Sequence, residues 1–432
     1  MILTIFSFIV VLTILVFVHE MGHYLAARHV GVRVDQFSIG FPPRMIGRRW
    51  GETEYLISWI PLGGYVRLFG QNLDDEDASN PRNYASKSIL QRFYILVAGP
   101  MANLVLALLV MPLVYIVGVD TPGYRLEPAL IATVSEGSAA AKAGFAPEDR
   151  IVSFGGEATA TWNDVFRQIE FRAIEVGTVP VVVERAGGQV ELAAPMTAFG
   201  RTERFGWGPH IEPVAGRVSP GTPAERSGIL PGDRILSVQG QPIGRWDAIS
   251  REIQKHQGAP AAFAIERNGE RLTLEIAAEF NEEVETWLIG ISPVMERERH
   301  GPVEAFAKGT RRLFDITLMT FAFLGNLITG QGSMDQIGGP VKIGAFIGEA
   351  ARTSVSSLAF LMAVISLQLA IFNLLPIPAL DGGHIFYFLL PEAVKGAPLR
   401  PKLRAQIQTV GFSLLILLMV FVTYNDILQL LS

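Results

Sequence analysis

The sequence predicts a polytopic α-helical membrane protein with four transmembrane helices. It also predicts two tandem extracytoplasmic α+β domains and a cytoplasmic, membrane-associated β-hairpin. Three observations carry this reading: four long charge-free runs, a basic bias in the short loops, and a self-similar stretch between the second and third runs. Composition sets the frame. Of 432 residues, 49% are hydrophobic and 18% charged, against about a quarter charged in ordinary soluble domains. The mean hydropathy of +0.33 points to lipid, and so much apolar surface excludes disorder. With 36 basic and 41 acidic residues, net −5, no basic field exists to attract phosphate, so nucleic acid is not an expected partner. There is no cysteine, hence no disulfide framework, and any metal must be held by His, Asp or Glu.

Residues 1–18, 93–119, 353–380 and 405–425 carry no charge. Crossing the hydrocarbon core takes about 20 apolar residues, so all four runs can span the lipid bilayer. The first lacks the positive n-region of a secretory signal and continues its helical pattern to Arg28, which favours a retained helix. A fifth run, 316–334, contains Gly325, Asn326, Gly330, Gln331 and Gly332 and reads as an interfacial or partly inserted helix.

Basic residues set the orientation. Arg28, Arg33, Arg44, Arg48, Arg49, Arg67, Arg82, Lys87 and Arg92 lie between the first two spans, and Lys395, Arg400, Lys402 and Arg404 between the last two. Both loops are expected in the cytoplasm, with both termini and residues 120–352 outside. The expected domains are 1–120, 121–204, 205–296 and 297–432. In the first loop, EYLISWIPLGGYVRLFG (54–70) reads as two short strands around Leu62-Gly63-Gly64, apolar enough to dip into the bilayer.

Within 120–352 the chain matches itself at an offset of 84: Gly144 with Gly228, Asp149-Arg150-Ile151 with Asp233-Arg234-Ile235, Trp162 with Trp246. Each copy reads as short helix, strand, helix and hairpin, and two copies suit tandem globular domains better than a solenoid. The shared pattern GSAAAKAGFAPEDRI and GTPAERSGILPGDRI resembles PDZ domains of bacterial proteases. That resemblance implies peptide or protein ligands bound by strand addition; Trp162 and Trp246 are expected in the cores.

The first span carries the chemistry. In FVHEMGHYLAA, His19 and His23 lie four apart and share a helix face. With Glu20 they form HExxH, two ligands for Zn²⁺ and a general base. A central acid in a transmembrane helix costs at least about 2.5 kcal/mol on insertion scales, so ionisable groups there are functional by default. A shared metal accounts for three within five residues. Catalytic zinc usually has a third protein ligand. Asp381, in NLLPIPALDGGH, is the first charge after 28 uncharged residues and returns to the same membrane depth; His384 is the competitor. Pro376 and Pro378 forbid a regular helix just before it, and irregular backbone at membrane depth needs protein or a watery cavity around it.

HExxH in the first span, N-x-x-P-x-P-x-L-D-G in a later one and PDZ-like domains between them together resemble the site-2 protease family of intramembrane zinc proteases. The tandem insert and four-span layout are most similar to its bacterial branch that regulates sigma-E. The resemblance implies His19, His23 and Asp381 as zinc ligands and Glu20 as catalytic base. It implies that Asn373 helps hold substrate or the developing oxyanion, and it implies substrate contacts along Gly63, Gly64 and Tyr65, where the family's hairpin pairs with unwound substrate. The stretch Gly99-Pro100-Met101-Ala102-Asn103 matches a family motif; Asn103 is a substrate-contact candidate, with close helix packing through small residues the other reading. The implied substrates are pre-trimmed single-span membrane proteins of the anti-sigma factor type, with remnant signal peptides a further class, cleaved at the bacterial inner membrane. The insert is then a recognition gate or size filter. The rivals are a non-enzymatic PDZ adaptor with a structural metal and a metal-ion transporter. A structural site needs no Glu20, and four spans with a long peptide-binding insert do not suit a transporter.

Overall fold

The computed structural model describes residues 2–71, 80–172, 177–196, 205–282, 286–330, 338–397 and 399–431. The chain packs as two compact units, Met1–Val119 with Arg299–Ser432, and Asp120–Glu298. Four helices are long and apolar enough to cross a membrane: Ile2–His29, Ile89–Val117, Val355–Leu374 and Lys402–Leu428.

Helix α1 (Ile2–His29) runs uninterrupted through HExxH. Helix α2 (Ile89–Val117) begins with a capping box: Ser88 accepts the Gln91 N–H and the Gln91 side chain accepts the Ser88 N–H. The two helices meet where both are small. A Cβ on Gly22 would stand 2.3 Å from the Ala98 carbonyl oxygen, so only glycine permits this approach.

Between them, strands β1 (Val34–Trp50) and β2 (Thr53–Leu68) pair with several register shifts. The expected hairpin within 54–70 is corrected here. Both of its strands form, but neither pairs with the other; the first half of β1 lies between them. Phe37 is flanked by Tyr55 and Val66, Ser38 by Leu56 and Tyr65, Ile39 by Ile57 and Gly64. The second half of β1 returns along 53–58, with Trp50 opposite Thr53 and Ile46 opposite Ile57. The local pattern of 54–70 gave two strands around a Gly-Gly turn. The apolar face of Val34, Phe37 and Ile39 competes for both, because it joins the core with Tyr24, Leu68 and Ile95. Residues 64–68 thereby become an edge, with no further strand beside them among the described residues.

In Asp120–Glu298 each sequence repeat folds alike. The first has short helix α3 (Ala139–Lys142), helix α4 (Trp162–Arg172) and a sheet ordered Glu157–Ala158, Arg150–Phe154, Thr178–Arg185, Gly188–Pro195. The second has α5 (Pro223–Arg226), α6 (Trp246–His256) and the sheet Gln241–Pro242, Arg234–Val238, Ala261–Arg267, Glu270–Ile276. Trp162 is buried in the first core and Trp246 packs on the second. The expected boundary at 204/205 falls at residues 197–204, outside the described residues.

The repeated Gly and Asp form a lock in each copy. Asp149 accepts the Ala146 N–H and two bonds from Arg185, whose Nη2 also donates to the Gly144 carbonyl. Asp233, Leu230, Arg267 and Gly228 repeat every contact. Gly144 and Gly228 take φ of +89° and +82°, which L side chains resist.

The membrane unit continues with α7 (Pro302–Ile328), which begins well before the uncharged run and carries Lys308, Arg311, Arg312 and Asp315. It is not among the span-length apolar helices, and residues 331–334 of that run lie outside the described residues. Its Gly309 packs on Pro112 of α2, where a Cβ would come within 2.9 Å of the Pro112 nitrogen. Helices α8 (Pro340–Thr353) and α9 (Val355–Leu374) follow, separated by Ser354, whose side chain accepts the Ser357 N–H. After Leu374 the chain is irregular through Leu380, as the prolines require, and resumes as α10 (Asp381–His384). A π turn, Ile385–Leu389, leads to α11 (Leu390–Lys395) and the last span, α12 (Pro401–Leu431).

Burial alone would raise the Asp149 and Asp233 carboxyls, but the arginine bonds and the backbone N–H outweigh it and hold both below the ordinary carboxylate range. A depressed carboxyl stabilises the fold fully above the unfolded value and loses that contribution as pH falls through the folded one. The isolated segment Asp120–Glu298 is therefore expected to be fully stable at neutral pH and to weaken below about pH 4. Asp149→Ala should cost about 2–3 kcal/mol at pH 7, measured by urea unfolding, and should flatten the acid dependence.

Candidate active site and metal centre

HExxH lies on the continuous helix α1, so His19 and His23 stack one turn apart. Their rings meet edge to face with centroids 4.8 Å apart. The break after α9 brings Asp381 to the same point. His19 Nε2 and His23 Nε2 lie 3.2 and 3.4 Å from Asp381 Oδ2, and 3.2 Å from each other. These side chains are only 13%, 12% and 18% exposed. Among the described residues they form the one group of three or more His, Asp or Glu whose ligand atoms converge. Asp381, rather than His384, joins the two histidines; the His384 ring instead packs against Phe388.

The donor set fits a metal. His23 Nδ1 lies 2.8 Å from the Ile95 carbonyl oxygen, which can only accept. In the neutral ring Nδ1 therefore carries the proton and Nε2 presents a lone pair. Asp381 Oδ2 is buried without a hydrogen-bond partner. Lone pairs thus converge on one point, an arrangement that repels unless a proton or a metal cation sits among them. Four tetrahedral ligands at about 2.0 Å from an ion stand about 3.3 Å from one another, which is the spacing found.

Two glycine-rich sequences make the reach possible. At Gly99 of α2 a Cβ would lie 2.2 Å from His23 Nε2, so the missing side chain is the space the imidazole uses. At Gly382 and Gly383 a Cβ would strike the Leu374, Leu375 and Ile377 carbonyls at 2.0–2.3 Å. Only glycine lets α10 fold back tightly enough to aim Asp381 at α1.

Glu20 and the three ligands line a cavity of about 510 Å³ together with Gly63, Gly64, Tyr65 and Asn373. The edge segment packs directly on α1, since a Cβ on Gly64 would stand 2.8 Å from Val16 Cγ1 and 3.3 Å from Glu20 Cγ. Tyr65 donates its hydroxyl to Gln36 Oε1, and Asn373 donates its amide to the Leu369 carbonyl. Asn103 borders the same cavity but is fully buried, with its amide 3.4 Å from His19 Nδ1. The structure adds residues that the sequence reading missed. The Ile95 carbonyl is one; a backbone acceptor leaves no mark in residue type. Tyr84, on the cavity wall, is another. Gly22, inside HEMGH, had a usable signal, a small residue on the face that must approach another helix.

A convergent His-His-Asp cluster beside the Glu20 carboxylate, held between apolar helices, is the arrangement of a membrane-embedded metallopeptidase. The chain belongs to peptidase family M50, whose model matches residues 7–418; this is the site-2 protease family that the sequence motifs resemble. Relatives share about a third of their residues over nearly the full length. The regulator of sigma-E protease RseP of Escherichia coli K12 is 34% identical over 97% of both chains. The regulator of sigma E protease of Haemophilus influenzae is 32% identical over 98% of both. A candidate zinc metalloprotease of Neisseria meningitidis serogroup A is 33% identical over 99% of this chain and all of its own.

Gly99→Val should displace the His23 imidazole. The expected outcome is loss of stoichiometric zinc by metal analysis of the purified protein, with helix content by circular dichroism unchanged.

Proposed function

We propose that this protein is an intramembrane zinc endopeptidase of the bacterial inner membrane that cleaves the transmembrane segments of pre-trimmed single-span proteins. The observation that carries this reading is the shared cavity: His19, His23, Asp381 and Glu20 open onto one space, bordered by the strand edge 64–68, whose Val66 N–H bonds the Glu20 carboxylate. Neither an adaptor nor a transporter has a use for a base and a strand edge at the same metal.

His19, His23 and Asp381 would hold the zinc. Zinc bound there would lower the pKa of a water toward neutrality and polarise the scissile carbonyl. Glu20 takes the proton during attack and delivers it to the departing amide nitrogen. A transmembrane helix hides its peptide bonds in its own hydrogen bonds, so the scissile bond must be presented extended. The edge 64–68 has no strand on its outer side among the described residues; such a segment would add there by strand addition, displacing the Glu20 carboxylate from the Val66 N–H and the Gln71 side chain from the Leu68 N–H, with Asn373 and Tyr65 at the cavity wall as further contacts. Gly63 and Gly64 keep the edge close to the base.

The substrate class follows from relatives named regulators of sigma-E protease and is a membrane-bound anti-sigma factor, with remnant signal peptides as a second class. The basic loops put the active site toward the cytoplasm and Asp120–Glu298 outside. The two repeats in that segment are PDZ-like domains that bind peptide or protein ligands and hold back substrates not yet trimmed.

Glu20→Gln should retain full zinc while cleavage of a model transmembrane substrate falls by about a hundredfold or more; full activity in that variant removes Glu20 as the base. Asp381→Asn should weaken zinc binding, read by chelator competition, and unchanged affinity would move the third ligand elsewhere. Gly64→Val, whose Cβ would meet Ser38 O at 2.7 Å and Val16 Cγ1 at 2.8 Å, should lower cleavage while leaving zinc content intact.

A further inference from the structure

Both histidine ligands turn their outer nitrogens toward helix α2. For His23 the partner is the Ile95 carbonyl. For His19 it is the Asn103 side chain, whose amide nitrogen stands 3.4 Å from Nδ1. That pairing is chemically inconsistent as oriented. His19 Nε2 faces Asp381 Oδ2 and His23 Nε2, so it is the ligand atom, and the neutral ring must then carry its proton on Nδ1. Nδ1–H and the amide NH₂ would both be donors. Meanwhile Asn103 Oδ1 is buried with no hydrogen-bond partner. The two ends of an amide are interchangeable by a half-turn, and exchanging them places Oδ1 on the Nδ1–H. Oδ1 has no hydrogen bond to lose in that exchange, whereas the contact with His19 gains one.

Asn103 is also well fixed for this task. It is 0% exposed. Its backbone carbonyl accepts the Ser366 hydroxyl of α9 at 2.7 Å, which ties α2 to the helix leading to Asp381. It lies one turn beyond Gly99, whose missing side chain makes room for His23. Gly99 and Asn103 thus serve the two histidines in turn, one by clearance and one by an acceptor.

We propose that Asn103 is a positioning residue for the metal: its amide oxygen accepts the His19 Nδ1–H and so fixes the ring's orientation and the tautomer that offers Nε2. This replaces a substrate contact at Asn103 and rests on the reading of His19, His23 and Asp381 as a zinc site. Outer partners of this kind usually change metal affinity by about ten- to a hundredfold.

The test uses the purified full-length protein with Zn²⁺ and Co²⁺ as probes. Zinc affinity is measured by chelator competition for wild type, Asn103→Leu, Asn103→Asp and His19→Ala. Asn103→Leu keeps the side chain's branched skeleton and removes the acceptor; it should weaken zinc about ten- to a hundredfold and shift the visible absorption of the cobalt-loaded protein. Asn103→Asp keeps an acceptor oxygen and should stay within a few-fold of wild type with the wild-type cobalt spectrum. Unchanged zinc affinity in Asn103→Leu, with a raised KM instead, would return the residue to substrate contact and overturn the proposal. Equal loss in the Leu and Asp variants would also overturn it, since packing alone would then be the cause. Failure of the underlying zinc site reads differently: wild type and His19→Ala would then bind zinc equally.

Discussion

The central constraint is electrostatic. Two imidazole lone pairs and a carboxylate oxygen converge within 3.4 Å of one another, between apolar helices where unpaired polar groups are expensive. A single cation would resolve this, and the surrounding architecture is the means of bringing the three candidate ligands together. Helix α1 supplies two of them by its own periodicity. The third has to come from another helix, and a regular helix would not deliver it: Pro376, Pro378, Gly382 and Gly383 interrupt α9 and turn α10 back so that Asp381 meets α1. Gly22 and Gly99 let α2 come close enough to flank the histidine rings.

The same economy of side chains shapes the access to the site. Gly64 brings a strand edge against Val16 and Glu20, so the cavity has a carboxylate on one wall and the edge of a sheet on another. Hydrolysis inside a membrane needs both water and an extended peptide, the two things a bilayer does not provide. An irregular loop after α9 and a strand edge beside α1 supply space for one and a template for the other. Their exposed backbone is tolerated because it borders a cavity enclosed by protein.

The repeats of Asp120–Glu298 show a different kind of legibility. Their shared Gly, Asp and Trp were visible at once as a repeat, and most prove to be architectural. Asp149 and Asp233 lock the same turn with the same arginine geometry, and both tryptophans serve the cores. A motif that recurs because it solves a folding problem does not by itself reveal a ligand.

The sequence alone determined the four apolar helices, the repeat, the HExxH pair and the return of a charge at Asp381, because periodicity, charge-free length and the scarcity of ionisable groups are local properties of the chain. It did not determine the pairing of 54–70, where two adjacent strands part to flank Phe37; that choice belongs to a core assembled from α1, α2 and β1. It favoured Asp381 over His384, three residues on, only because a charge nearer the hydrocarbon needs a cation more. The tertiary fold brings Asp381, and not His384, beside His19 and His23, through the direction in which a glycine-tight turn aims each side chain. The contacts of Asn103 and the Ile95 carbonyl with the histidines likewise exist only once three helices are packed, since hydrogen-bond partners distant in sequence are fixed by packing and leave no pattern along the chain.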